Sequence, residues 1–186
     1  ALVFPFLMYP VLGPSISRWV LVASATGTVT FDLLRKKSPT LRSALERIFS
    51  PITKEEEGGT LSRTSLFLAG LGLTALVPGY LTAPAAMVIL ILGDAWAVLI
   101  GVRFRTPMLR RGKSVGGTAA AFLVGLVAAY AFLGVFSDPL PQGVVVAALA
   151  ASAAGSLVEA ITPGRYDNIT VGPSAAAVIW LFLNGI

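Results

Sequence analysis

Asp94 lies inside an otherwise apolar stretch, GDAWAVLIG at 93 to 101, and five cations follow it closely: Arg103, Arg105, Arg110, Arg111 and Lys113. Burying a carboxylate at the centre of a bilayer costs roughly 2.5–3.5 kcal/mol on insertion scales, so an ionisable group at that depth marks a functional site by default. An acid able to hold a divalent metal, next to a basic loop that ends in backbone amides at a helix start, suits a polyphosphate at a membrane surface. Three further acids, Asp32, Glu159 and Asp167, also flank hydrophobic segments. Glu159 sits in the last turn of its segment, where the helix dipole disfavours an anion, so complementarity to the dipole does not account for it. Asp167-Asn168 precedes another apolar run and reads either as a helix cap or as part of the site.

These residues need elements that carry them into a membrane. The chain has 186 residues, 55% hydrophobic and 12% charged, with a mean hydropathy of +0.82. That composition excludes an ordinary soluble globule. Long apolar runs without strict alternation predict helices rather than a β-barrel, so the expected fold is a single all-α membrane domain over residues 1–186. The chain has no Cys and no His. Disulfides, thiol nucleophiles, imidazole bases and the usual zinc sites are therefore excluded, and any chemistry falls to Asp, Glu, Lys, Arg, Ser or Thr. No cleavable signal pattern is visible, and the chain starts on Ala1 rather than Met, so a few further N-terminal residues are expected.

Six spans are expected, near residues 19–34, 61–78, 82–102, 118–136, 142–161 and 170–185, with residues 2–12 too short for a full span and either truncated, tilted or re-entrant. Residues 38–57 read as a surface amphipathic helix followed by the acidic run Glu55 to Glu57, and Pro78-Gly79-Tyr80 and Asp138 to Pro141 read as tight turns. With alternating spans, the loops at 35–63, 103–117 and 162–169 fall on one side and carry all the Lys and Arg residues except Arg18. The net charge of +5 is then a topology signal that places these loops in the cytosol, with anionic membrane lipids as contacts and no role in nucleic-acid binding.

Two motifs carry competing readings. Gly93, Ala97 and Gly101 form a small-xxx-small ridge for close helix packing, which is compatible with a catalytic or metal role for Asp94 but does not explain it. GKSVGGT at 112–118 superficially looks like a phosphate-binding P-loop, but Pro107 stands where the first glycine is required and no strand precedes it. What is left is a loop in which Ser114 or Thr118 caps the next helix, or one whose Gly116 and Gly117 amides hold phosphate oxygens beside Lys113.

Taken in order, FDLLRKK at 31–37, GDAWAVLIG at 93–101, KSVGGT at 113–118 and EAITPGRYDNIT at 159–170 make the chain resemble the CTP-dependent lipid kinases, the group of dolichol, phytol and yeast-type diacylglycerol kinases related to phosphatidate cytidylyltransferases. The resemblance implies transfer of the terminal phosphate of CTP to the hydroxyl of a membrane lipid alcohol, with Mg²⁺ as cofactor. Asp94, Glu159 and Asp167 are then the candidate metal ligands. Asp94, Lys113, Arg35 and Lys36 are the candidate catalytic residues. Arg35, Lys36, Gly101, Arg105, Lys113, Ser114, Gly116, Gly117, Thr118 and Asn168 are the candidates for holding the nucleotide. Many members of the group carry Glu or Ala where this chain has Gly116. Phosphoryl transfer asks mainly for charge neutralisation and alignment, which a chain without Cys or His can supply. A CDP-lipid-forming cytidylyltransferase and a small transporter or scaffold, in which Asp94 relays an ion, are the alternatives.

Overall fold

A computed structural model describes residues 2–37, 61–104, 106–109, 112–137, 143–164 and 166–184, together with the backbone but not the side chain of Lys36. The expected helix at 38–57, the turn at 138–141 and Arg105 lie outside the described residues. A π-helical turn at Phe4–Met8 leads into α1 (Tyr9–Lys37), and α2 (Arg63–Leu76), α3 (Thr82–Arg103), α4 (Val115–Phe136), α5 (Val144–Ile161) and α6 (Asp167–Asn184) follow. The described fold is all-helical, as a chain that must satisfy its own backbone in lipid requires.

Among the described residues, four segments are long and apolar enough to cross a membrane, Phe4–Arg35, Thr82–Arg103, Val115–Phe136 and Val144–Ile161. The other two helices occur where expected but differ in kind. α2 has 14 residues, about 21 Å of helix against a hydrocarbon core of about 30 Å. α6 has 18 residues, but Asp167, Asn168, Pro173 and Asn184 dilute its hydropathy.

The apolar piece at 2–12 is helical and joins the first span through a break at Gly13 (φ 75°), a backbone conformation that favours glycine, with Pro14 restarting the helix. Ser17 Oγ donates to the Met8 carbonyl at 3.0 Å across this break. Phe6 reaches α4, meeting the Phe132 ring edge-on at 5.3 Å. The expected turn at Pro78-Gly79-Tyr80 is present, with Gly79 at φ 103°.

Small residues set the distances between helices, because packing in lipid gains most where backbones approach closely. The ridge on α3 meets α4 in antiparallel register. A methyl group at Gly93 would stand 3.4 Å from the Ala121 carbonyl oxygen, one at Gly117 would stand 2.9 Å from that of Ala97, and one at Gly101 would stand 3.1 Å from Ser114 Oγ. Gly70 of α2 packs directly on the Asn168 carbonyl of α6. Asp32, 4% exposed, anchors α2 by accepting the Ser62 backbone N–H at 2.7 Å, and the Ser62 hydroxyl caps the helix by accepting from Ser65 N at 3.1 Å. At the opposite end Arg18 Nε donates to the Ala75 carbonyl at 3.0 Å, satisfying an end group of α2.

The bundle is tight at one end and open at the other. Every residue of α3 from Thr82 to Leu90 is buried: Ala85, Ala86, Val88 and Ile89 against Ala129, Phe132 and Leu133 of α4, Val144, Ala148 and Ala151 of α5, and Ala175, Ala176 and Ile179 of α6, and Ala83, Met87 and Leu90 against Tyr9 and Leu21 of α1 and Leu71 and Ala75 of α2. Beyond Leu90 only Gly93 and Ala97 of α3 remain buried. Asp94 lies where the packing loosens.

Candidate functional site

The cleft at the open end is lined by Ile89, Leu90, Gly93 and Asp94 of α3, Ala121 of α4, Gly155, Ser156 and Glu159 of α5, and Asp167, Asn168 and Val171 of α6. α3, α5 and α6 each contribute residues one, three or four apart, so a single face of each looks inward. As folded the cleft is narrow, with room for about one water molecule, so a phosphate group or any larger ligand has to displace the side chains that line it.

Lys113 sits against two of the cleft's acids. Its ammonium donates to Glu159 Oε1 at 3.0 Å and to Asp167 Oδ2 at 2.7 Å, with 18% of the lysine side chain and 8% of each acid side chain exposed. The loop holds the lysine firmly: Leu109 N donates to the Lys113 carbonyl at 2.6 Å, Val115 N donates to that of Pro107 at 3.0 Å, and Gly112 turns the chain at φ 78°. Met108 and Ser114 pair as an isolated antiparallel bridge. Burial opposes the lysine's charge, but the hydrogen bonds and charges of Asp167 and Glu159 outweigh it and hold the ammonium above its ordinary pKa.

Lys113 also accounts for Glu159. An anion in the last turn of α5 faces the negative end of the helix dipole, and the ammonium offsets that disadvantage. Asp167 opens α6, where the dipole favours it, and its Oδ1 accepts the Asn168 N–H at 2.9 Å. Asp94 differs from both. It lines the same cleft within electrostatic reach of Asp167 and Lys113, yet its carboxylate makes no hydrogen bond or ion pair among the described residues.

Of the residues expected to act together, Asp94, Lys113, Glu159, Asp167 and Asn168 converge. Two expectations need correction. First, the Gly116 and Gly117 amides are not free: Gly116 N donates to Thr106 Oγ1 at 3.0 Å and Gly117 N to Ser114 Oγ at 3.1 Å. Ser114 is the N-cap of α4, and Thr118 N donates to its carbonyl at 3.0 Å. Ser114, Gly116, Gly117, Thr118 and Gly101 thus build the seam between α3 and α4 beside the cleft. Second, among the described residues no three acids converge as metal ligands. The position between Glu159 and Asp167 is taken by the lysine ammonium, so the donor set as folded does not fit a resident Mg²⁺.

Asp32 is engaged with Ser62 and stands apart from the other acids. Arg35, one turn beyond Asp32, is half-buried and does not line the cleft. The Lys36 side chain and Arg105 lie outside the described residues. Sequence reasoning missed Ser156, whose hydroxyl donates to the Ser152 carbonyl at 2.8 Å. The stripe Ser152, Ser156, Glu159 was its signal, three polar residues on one face of an apolar helix.

The chain is 30% identical over 141 residues to the uncharacterized protein RP860 of Rickettsia prowazekii, an alignment covering 72% of this chain and 68% of that protein. No family model matches the chain, and no solved structure matches it.

Proposed function

The chain belongs to the family of that Rickettsia protein, and from the site it carries we propose that it is a CTP-dependent lipid kinase, transferring the terminal phosphate of CTP to the hydroxyl of a polyprenol, phytol-like alcohol or diacylglycerol. The observation that carries this reading is an unpartnered carboxylate, Asp94, in a cleft among apolar helices whose other two acids, Glu159 and Asp167, hold a fixed cation, Lys113. Proton acceptor and phosphate-binding charge are the two things phosphoryl transfer asks of a protein.

In this mechanism the nucleotide enters phosphate-first, as its magnesium complex, with magnesium arriving as part of the substrate. The phosphate oxygens compete with Glu159 and Asp167 for Lys113, and Arg35 and Lys36 at the same end of the bundle add positive charge. The lipid slides in between helices and presents its hydroxyl to Asp94. The alcohol oxygen forms a bond to the terminal phosphorus as the bond from that phosphorus to the CDP oxygen breaks. The alcohol proton passes to Asp94, and CDP departs. The cleft as folded has room for about one water, so in this order the phosphates make their own space by drawing Lys113 away from Glu159 and Asp167.

All six helices cross the bilayer in this reading, and the site faces the cytosol. Of the seven described Lys and Arg residues, Arg35, Lys36, Lys37, Arg63, Arg103 and Lys113 lie at the site end and only Arg18 at the other, the asymmetry that the positive-inside rule associates with a cytosolic face. The test is a panel of triphosphates labelled at the terminal phosphate against the three alcohol classes in detergent micelles. Label in the lipid is the expected result, and label released as pyrophosphate marks a cytidylyltransferase instead.

A further inference from the structure

The hairpin that delivers Lys113 has a second side. Backbone bonds pin it: Val115 N donates to the Pro107 carbonyl at 3.0 Å, Leu109 N donates to that of Lys113 at 2.6 Å, and Gly112 turns the chain. Lys113 is drawn in to Glu159 and Asp167. Phe104 and Met108, in contrast, are 55% and 68% exposed, and Leu109, next to Met108 in the chain, is exposed as well. Both feet of the hairpin stand on exposed apolar stripes. Val98 and Val102 lead along α3 into Phe104, and Val115, Leu123 and Val127 continue along α4 from Ser114. Residues four or eight apart share one face of a helix. α3 and α4 are both long and apolar enough to cross a membrane, and on such a helix the exposed apolar face meets lipid.

The same stretch is basic. Residues 103–113 carry five cations and no acid. Lys113 is neutralised by its two carboxylates, while Arg103 is exposed beside Phe104. We propose that this hairpin is an interfacial anchor whose partner is the surface of an anionic leaflet: Phe104, Met108 and Leu109 enter the boundary between headgroups and hydrocarbon, and the cations of the same stretch hold the negative headgroups. Apolar side chains interleaved with cations fit that boundary, because hydrocarbon takes up the first and the negative surface potential attracts the second. A soluble protein partner would need these side chains clear of the bilayer, but their continuity with the lipid-facing stripes of α3 and α4 sets them at its surface. The hairpin is then held from outside by lipid and from inside by Glu159 and Asp167 through Lys113. This inference rests on α3 and α4 crossing the membrane and not on the kinase reading.

The chain has no cysteine, so single spin labels can be placed at will. Met108→Cys and Gly164→Cys, the latter in the exposed loop before α6 at the same end of the bundle, are each labelled with a nitroxide. Both are reconstituted in nanodiscs of phosphatidylcholine, alone or mixed with phosphatidylglycerol. Paramagnetic resonance then compares collisions of the label with oxygen, which concentrates in hydrocarbon, and with a neutral nickel chelate, which stays in water. In the anionic nanodiscs the ratio of oxygen to nickel collisions is expected to be at least about twofold higher at 108 than at 164, and to fall in phosphatidylcholine alone or in about 1 M salt. Phe104→Cys, exposed likewise, is the second reporter if Met108→Cys does not fold. A ratio at 108 no higher than at 164 overturns the proposal, since the hairpin then stands in water. A high ratio at 108 that is the same with and without phosphatidylglycerol overturns the anionic leaflet as its partner.

Discussion

The Lys113 ammonium reaches Asp167 Oδ2 at 2.7 Å, joining a loop after α3 to the first residue of α6 across 54 positions of sequence. The same nitrogen holds Glu159 at the end of α5, so one side chain ties together three elements around the cleft. Removing one partner of a buried ion pair leaves an uncompensated charge and costs about 3–5 kcal/mol, and the partial exposure of the lysine puts Lys113→Met toward the lower end. Its thermal midpoint in detergent should fall well below wild type, while Lys113→Arg should recover most of the loss.

Asp94 predicts the opposite balance. Its carboxylate has no partner among the described residues, so Asp94→Asn removes no hydrogen bond and should leave the melting temperature unchanged. As the proton acceptor it should be costly to lose, lowering kcat by about 10²–10⁴-fold. Parallel melting and turnover assays check the pair; a large loss of stability with turnover retained would assign Asp94 to the scaffold.

The seam between α3 and α4 makes a third prediction. A methyl group at Gly117 would stand 2.9 Å from the Ala97 carbonyl oxygen, whereas one at Gly27 meets nothing within 4 Å. Gly117→Ala should destabilise by about 1–3 kcal/mol through overpacking. Gly27→Ala should be neutral or stabilise by up to about 1 kcal/mol through helix propensity. Thermal melts of the two variants against wild type measure the difference.

The pH dependence follows from the raised pKa of Lys113. The folded protein keeps this proton at pH values where the unfolded chain has released it, so unfolding binds fewer protons and stability falls as pH rises there. The contribution of the ion pairs is therefore fully present below the ordinary lysine pKa of about 10.4 and declines only as pH climbs through the higher folded value. Stability of wild type measured between pH 7 and 11 should lose this contribution only in the most alkaline part of that range, and Lys113→Met should lack that component of the decline.

Much of this architecture was legible before any coordinates. The apolar runs and their turns locate α2 to α6 within a few residues, because lipid leaves the backbone few options. The Gly93, Ala97, Gly101 ridge identifies the face of α3 that meets α4. The meeting of Asp94, Lys113, Glu159 and Asp167 follows from the same topology: alternating helices carry residues far apart in sequence to one end of the bundle. The Ser114 cap on Gly117 was one of the two readings the sequence offered, whereas the engagement of the Gly116 amide was hidden because its partner Thr106 lies ten residues away across a turn, a pairing that composition does not reveal. The seat of Lys113 between two acids was equally hidden, since spacing shows which charges share an end but not which touch.

Terminal-phosphate transfer to a lipid alcohol is the central claim, and one measurement tests it most directly. Purified protein is incubated with magnesium and CTP labelled at the terminal phosphate, together with a polyprenol, a phytol-like alcohol and diacylglycerol in turn, and the lipid phase is counted for wild type and Asp94→Asn. Label in a phosphorylated lipid for wild type, reduced at least about a hundredfold in the variant, is the predicted result. No labelled lipid from any alcohol, or equal labelling by Asp94→Asn, contradicts the account.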